Sequence, residues 1–261
     1  SLDPKSEADV VALEAEYGLD KTKAKVRTAK GVWDLETSLI GEHNLTNVLV
    51  GVGMALAMGF SKQRILRGLQ ALERIPGRLD RVPNDQNKTV FVDYAHTPDA
   101  LDRTRGAVAK LTKGRLIVVF GCGGDRDQAK RPLMGEAVAR HAQVAVVTND
   151  NPRSEDPQLI AKAVQEGLQK GGMAGGRGLA EGSFVIELDR GAAIRQAISA
   201  ATPEDVVIIA GKGHEAIQEI GGRKMRFDDL EQARCHLAGL PPPAPQVIPG
   251  GEESMSKPVR E

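Results

Sequence analysis

Four short polar runs carry residue types able to do chemistry, and each follows directly on an apolar, β-rich run. They are Asp93-Tyr94-Ala95-His96-Thr97-Pro98-Asp99, Gly121-Cys122-Gly123-Gly124-Asp125-Arg126-Asp127, Asn149-Asp150-Asn151-Pro152-Arg153 and Gly211-Lys212-Gly213-His214-Glu215. Asp93 and His96 could act as an acid–base pair or serve only as a hydrogen-bonded strand end, and spacing does not separate the two. The glycines of the second run fail the dinucleotide pattern G-x-G-x-x-G, because Arg126 stands where the last glycine belongs. They read instead as a tight turn aiming Asp125 and Arg126 into a cleft, with a plain strand–helix turn as the alternative. The third run joins a rigid Pro turn, Asp150-Asn151-Pro152, to Arg153. A planar guanidinium grips a carboxylate through two parallel hydrogen bonds, which a lysine ammonium cannot do; the plainer alternative is an Asx-Pro turn with a solvated Arg. The fourth run lacks the upstream glycine and the Ser or Thr after Lys212 that a phosphate loop needs. Glu215 could hold a substrate ammonium, whereas His214 alone reads as structural.

Other chemistries are less well supplied. The five histidines are scattered without metal-ligand spacing, and Cys122 and Cys235 fall in no C-x-x-C pair. Cys122 reads as a small core-facing thiol. A G-x-S-x-G nucleophile turn is missing from the sequence.

These runs have to be positioned by something, and the surrounding pattern supplies it. Apolar runs at 89–94, 116–120, 144–148, 184–188 and 206–210 alternate with helical stretches at 98–111, 131–141, 157–169 and 192–201. Strands apolar on both faces between amphipathic helices predict an α/β, Rossmann-like, mostly parallel sheet, whose ligands collect outside the carboxyl ends of the strands. All four polar runs fall on that edge. Gly221-Gly222 predicts a hairpin tip, and 230–237 a closing helix. Upstream, strand-like pieces at 10–13, 25–27 and 32–35 alternate polar with apolar residues, as half-exposed antiparallel strands do. Helices follow at 45–58 and, capped by Ser61, at 62–72. Pro76-Gly77 is the clearest boundary, dividing a unit at 1–76 from a domain at 77–240. The Pro-rich and Gly-Glu-Ser stretch 241–261 reads as a disordered tail.

Composition agrees with an α/β protein. The 261 residues carry 35 Lys and Arg against 35 Asp and Glu, a balance that speaks against a duplex nucleic-acid binder. Apolar stretches stop well short of the roughly 20 residues of a membrane span. Aromatics at 3% beside 29 glycines favour tight strand–helix turns over an aromatic-packed sandwich.

The four runs, taken in order with Lys130-Arg131-Pro132, Met134-Gly135 and Glu155-Asp156-Pro157, closely resemble the Mur ligase family over essentially all of 41–238. The stretch before Gly41 resembles the end of that family's central ATP-binding domain only loosely. The resemblance implies an ATP-dependent ligase of peptidoglycan synthesis that adds meso-diaminopimelate to UDP-N-acetylmuramoyl-L-alanyl-D-glutamate through an acyl phosphate, with ATP and Mg2+ as cofactors. It implies contacts to the incoming amino acid from Arg126, Asp150, Asn151, Pro152, Arg153, Gly211 and Glu215. Arg at position 153 resembles the diaminopimelate-adding type. Asn47 is implied as an adenine contact, Arg78 and Asp93 as ribose contacts, and His96 as part of the same nucleotide-facing loop. A cytoplasmic monomer, without nucleic-acid or membrane partners, is implied as well. A G-x-x-G-K-[ST] loop and a UDP-sugar domain, both usual in the family, are not found in this sequence, which starts at Ser1. The expectation is a C-terminal portion of a ligase, with a partial central domain, inactive by itself. A non-catalytic scaffold related to the family is the alternative, mildly favoured by the Pro-rich tail and opposed by the intact ligand residues. An unrelated nucleotide-binding Rossmann protein is the third, disfavoured by its missing glycine fingerprint.

Overall fold

Burial on both faces is what allows strands such as Leu-Ile-Val-Val-Phe at 116–120 to exist in water, and the computed structural model, which describes residues 1–244 and 246–248, shows how it is achieved. Seven strands form one sheet: β4 (Asp80–Arg81), β5 (Thr89–Asp93), β6 (Leu116–Phe120), β7 (Val144–Val147), β8 (Ala174–Gly175), β9 (Ser183–Ile186) and β10 (Val206–Ala210). Their order is β4-β5-β10-β6-β7-β9-β8, parallel throughout except for β4, which runs antiparallel to β5. Successive residues of β6 part to opposite sides. Leu116, Val118 and Phe120 enter the core with α3 (Pro98–Ala109), α4 (Lys130–Ala139) and α5 (Pro157–Lys170). Ile117 and Val119 enter the core with α6 (Arg190–Ala200) and α7 (Asp229–Leu237). The expected doubly wound α/β layering is present, and the short edge strands β4 and β8 are additions to it.

Side-chain caps start the helices close behind the strands. Thr97, Asp156, Asp189 and Asp228 accept hydrogen bonds from the backbone N–H groups of Ala100, Gln158, Ala192 and Glu231 respectively, satisfying donors that a helix start leaves unpaired. Loops at the carboxyl edge are thereby held at fixed lengths.

The first unit is a meander of β1 (Val10–Tyr17), β2 (Thr22–Thr28) and β3 (Gly31–Thr37), antiparallel as its alternation predicts. It buries Val26, Trp33 and Leu35 against Leu45, Leu49 and Val52 of α1 (Glu42–Ala57) and Ile65 of α2 (Lys62–Ala71). The hairpin around Gly221-Gly222 also forms, from β11 (Ile217–Ile220) and β12 (Arg223–Arg226). One expectation is modified: Gln246–Val247, inside the expected disordered tail, form β13 and pair with β12. Residues 249–261 lie outside the described ones.

At the amino edge of the sheet a buried carboxylate fixes the register of β6 and β10. Asp205 accepts from the backbone N–H and guanidinium of Arg115 at 2.6 and 2.8 Å and from Thr202 N–H at 2.9 Å. Burial alone would raise the Asp205 carboxyl, but the Arg115 guanidinium and these N–H donors outweigh it and hold it well below the usual carboxylate range. A carboxyl depressed in the folded state stabilises the fold above its unfolded value of about 4 and loses that contribution as pH falls. Asp205→Asn should therefore lower the urea midpoint near pH 7 yet reduce the further loss between about pH 4 and pH 2. An unchanged difference between the two pH values would exclude Asp205 as an acid-sensitive staple.

Candidate functional site

The carboxyl ends of β5, β10, β6 and β7 stand side by side, and the loops leaving them enclose a cleft of about 380 Å³. Arg126, Asp150, Asn151, Arg153, Gly211, Glu215 and His96 all line it, beside Tyr94 and Lys130. Six of the seven residues grouped as amino-acid contacts thus meet in one place. Pro152, the seventh, does not line the cleft; its carbonyl packs against Gly124.

That wall depends on two loops passing at backbone contact distance. A Cβ on Gly121 would lie 2.0 Å from the Thr148 carbonyl oxygen, and one on Gly124 would lie 1.9 Å from that of Pro152. Only glycine permits such an approach. The contact is then locked: Gly124 N–H donates to the Asn151 carbonyl at 2.9 Å. Ser154 donates through its N–H and hydroxyl to the Asp125 carboxylate at 3.2 and 2.8 Å. Glu155 accepts from Asp125 N–H and from the buried Arg131 at 2.5 and 2.7 Å. The glycine loop is an interlock, which explains its composition better than a turn merely aiming side chains.

Arg153 is placed from two sides. The β11–β12 hairpin grips its backbone, with Arg153 N–H donating to the Glu219 carbonyl at 3.1 Å and Gly221 N–H donating to the Arg153 carbonyl at 2.7 Å. Its Nη1 donates to the Gly124 carbonyl at 2.6 Å, and Nε lies 3.8 Å from Glu219 Oε2. In the same cleft, the Glu215 carboxylate accepts from the Tyr94 hydroxyl at 3.2 Å and from Asn151 Nδ2 at 3.5 Å. The lining of the cleft therefore offers both a guanidinium and a carboxylate, as a zwitterionic ligand requires.

Residues that sequence spacing did not single out support this arrangement. Lys212 is wholly buried; Nζ donates to Asn151 Oδ1 at 3.2 Å and to the Ile217 carbonyl. It also lies 3.8 Å from Asp150 and 3.9 Å from Glu215. Burial pushes the Lys212 ammonium down and the Asp150 carboxyl up, while their mutual attraction opposes both shifts. Asp150 Oδ1 has no hydrogen-bond partner among the described residues. Beneath them Arg190, 1% exposed, makes two 2.7 Å hydrogen bonds to Asp229 and donates to the carbonyls of Asn149 and Ala210 at 3.2 and 3.0 Å. The signal available for Arg190 was its place beside the Asp189 cap, which reads as an exposed helix start.

The remaining sequence candidates separate. Arg78 and Asp93 line an adjoining cleft of about 280 Å³ with His43, Asp99 and Arg103. Each Asp93 oxygen already accepts a backbone N–H, from Leu79 at 2.8 Å and Ala95 at 2.9 Å, while His96 Nδ1 lies 2.8 Å from the Tyr94 carbonyl. These bonds make Asp93 the strand-end alternative rather than the partner of His96. Asn47 is exposed on α1 and lines neither cleft. Cys122 is the core thiol expected, its pKa pushed up to about 12 by burial and its Sγ 3.3 Å from Met134 Sδ.

Comparison with known proteins bears on this geometry. The family described as Mur ligase, glutamate ligase domain, matches residues 77–213. The UDP-N-acetylmuramoyl-L-alanyl-D-glutamate--2,6-diaminopimelate ligase of Synechococcus elongatus is 42% identical over 232 residues, covering 88% of this chain and 45% of its own. The ligase of the same name from Lawsonia intracellularis is 46% identical over 203 residues, covering 78% and 40%. A solved structure of a ligase with that name superposes with a TM-score of 0.64 at 34% identity, over 90% of this chain and 46% of that one. Folylpolyglutamate synthase of Mycobacterium tuberculosis, at 22% identity and a TM-score of 0.62, shares the fold. The chain spans about half the length of the curated relatives it matches.

Removing one partner of a buried ion pair strands the other charge, at roughly 3–5 kcal/mol. Asp229→Asn should lower the unfolding free energy by about that amount in a urea titration. A loss below about 1 kcal/mol would mean that Arg190 finds water or another anion.

Proposed function

This chain belongs to the Mur ligase family, and on that premise we propose that residues 77–240 form the amino-acid-binding unit of a ligase joining meso-diaminopimelate to UDP-N-acetylmuramoyl-L-alanyl-D-glutamate in peptidoglycan synthesis. Residues 1–76 correspond on this reading to the end of the central ATP-binding unit. The reaction is the formation of a C–N bond in the cytoplasm by a monomeric enzyme. The observation that carries the proposal is the convergence of Arg153, Asn151 and Glu215 on one cleft, in a chain whose relatives are named for this reaction.

Diaminopimelate differs from lysine by one carboxylate, so a selective site must read that group. Arg153 is a permanent cation with a planar donor fork, and its orientation is already set by the Gly124 carbonyl and Glu219. Glu215, held by Tyr94 and Asn151, offers an acceptor for an ammonium. Asp150 adds negative charge behind it, its buried Oδ1 lacking a hydrogen-bond partner among the described residues and lying 3.8 Å from Lys212 Nζ. Arg126 and Lys130 on the cleft wall supply positive charge for another carboxylate.

ATP, when bound to the complete enzyme, would supply the phosphoryl group that activates the acceptor carboxylate. Among the described residues there is no group of three or more His, Cys, Asp or Glu side chains able to hold a metal ion. No helix among them is long and apolar enough to cross a membrane.

Amide NMR titration with meso-diaminopimelate and L-lysine tests the proposal. Meso-diaminopimelate should shift cleft resonances at concentrations at least about tenfold lower than L-lysine, the worth of one charge-assisted hydrogen bond of roughly 1.5–3 kcal/mol. Arg153→Ala should abolish that preference. Equal affinity of the native chain for both amino acids would refute the assignment.

A further inference from the structure

Tyr94 lines the cleft and donates to Glu215, and the packing of its ring decides how firmly it can do so. Its ring is confined on several sides: the Arg78 guanidinium lies 5.1 Å from its centroid, and the His96 and His214 rings lie at 4.7 and 5.4 Å. Backbone packs against its base, since a Cβ on Gly213 would sit 2.7 Å from Tyr94 Cβ. Its N–H donates to the Gly77 carbonyl at 2.8 Å, tying it to the segment that joins the two units. A phenol on a ring fixed in this way presents its hydroxyl at one point. At that point stands Glu215 Oε1, 3.2 Å away.

Glu215 needs such a fixture. Its side chain is 40% exposed, follows a loop with two positive-φ glycines, and without restraint would sample several rotamers. Asn151 holds Oε2 at the longer distance of 3.5 Å, and Lys212 approaches only to 3.9 Å. The Tyr94 bond is the shortest of the three.

We propose that Tyr94 is a positioning residue of the cleft, holding the Glu215 carboxylate where a ligand ammonium is received. The identity of that ligand rests on the function proposed above, whereas the phenol–carboxylate restraint does not.

Two measurements test the proposal and keep the two questions apart. The first needs no ligand. The chain has two tyrosines, Tyr17 and Tyr94, so Tyr94 can be followed by its ring 13Cζ signal in a Tyr17→Phe background. Burial, and next the Glu215 charge, raise the Tyr94 phenol above the usual tyrosine range. Glu215→Gln should bring its ionisation midpoint down, and an unchanged midpoint would overturn the restraint. The second compares meso-diaminopimelate with pimelate, which has the same carbon chain and carboxylates but no amino groups. Tyr94→Phe keeps the ring packing and should weaken meso-diaminopimelate about fivefold, close to the worth of one hydrogen bond, while leaving pimelate unchanged. Equal weakening of both would make Tyr94 merely structural, and weakening of neither would overturn the proposal. If the native chain binds neither compound, the ligand assignment fails, and the midpoint titration alone decides the role of Tyr94.

Discussion

A guanidinium without access to water holds the working edge of this protein together. Arg190 is fully desolvated, which is tolerable only because Asp229 supplies a charge-matched, two-point partner and two strand-end carbonyls take two of its other three donors. Those carbonyls belong to Asn149, just beyond β7, and Ala210, at the end of β10. The residues that follow are Asp150-Asn151-Pro152-Arg153 and Gly211-Lys212-Gly213-His214-Glu215. One side chain thus sets the departure points of two of the loops that form the cleft. A hydrophobic replacement could fill the same volume, but it would leave two carbonyls without donors, and each buried orphan costs about 1–3 kcal/mol.

Charge balance extends that arrangement to the surface of the cleft. Lys212 lies within 4 Å of both Asp150 and Glu215 and donates to Asn151, so a buried cation organises three acceptors from two different loops. Its desolvation cost is offset by that company. Asp150 Oδ1, without a hydrogen-bond partner among the described residues, has Lys212 Nζ 3.8 Å away. The carboxylates are therefore gathered by a lysine set behind them.

Much of this was legible in the sequence because it follows from burial and chain geometry. Strands apolar at every position must be covered on both sides, and 116–120 and 206–210 are. Polar runs at the ends of parallel strands must share an edge, and six of the expected contacts line one cleft. What escaped the pattern depends on pairings between distant residues. Arg190 lies 39 positions from Asp229, and Tyr94 lies 121 positions from Glu215. Neither spacing differs from that of solvated charges or a half-buried aromatic. Asp93 and His96 illustrate the converse: close spacing left a pair and a strand end equally open, and each is engaged with backbone. The two-residue strands β4 and β8 also escaped, since two residues show no period.

Arg153 brings these constraints to one backbone position. Its φ of 54° lies in the left-handed region, as does that of Asp125 at 52° in the facing loop. For residues with a side chain this conformation costs of order 1 kcal/mol or more. Glycine would remove the strain at position 153, but it would remove the guanidinium too. The conformation persists because the two-sided grip of Glu219 and Gly221 fixes the backbone while Gly124 fixes Nη1. Asp125 is held likewise by Ser154 and Glu155. Strain on both sides of the same interlock is borne by hydrogen bonds that cross it. A guanidinium oriented before any ligand arrives loses little further freedom on binding, so more of its hydrogen-bond energy remains to distinguish a carboxylate from its absence.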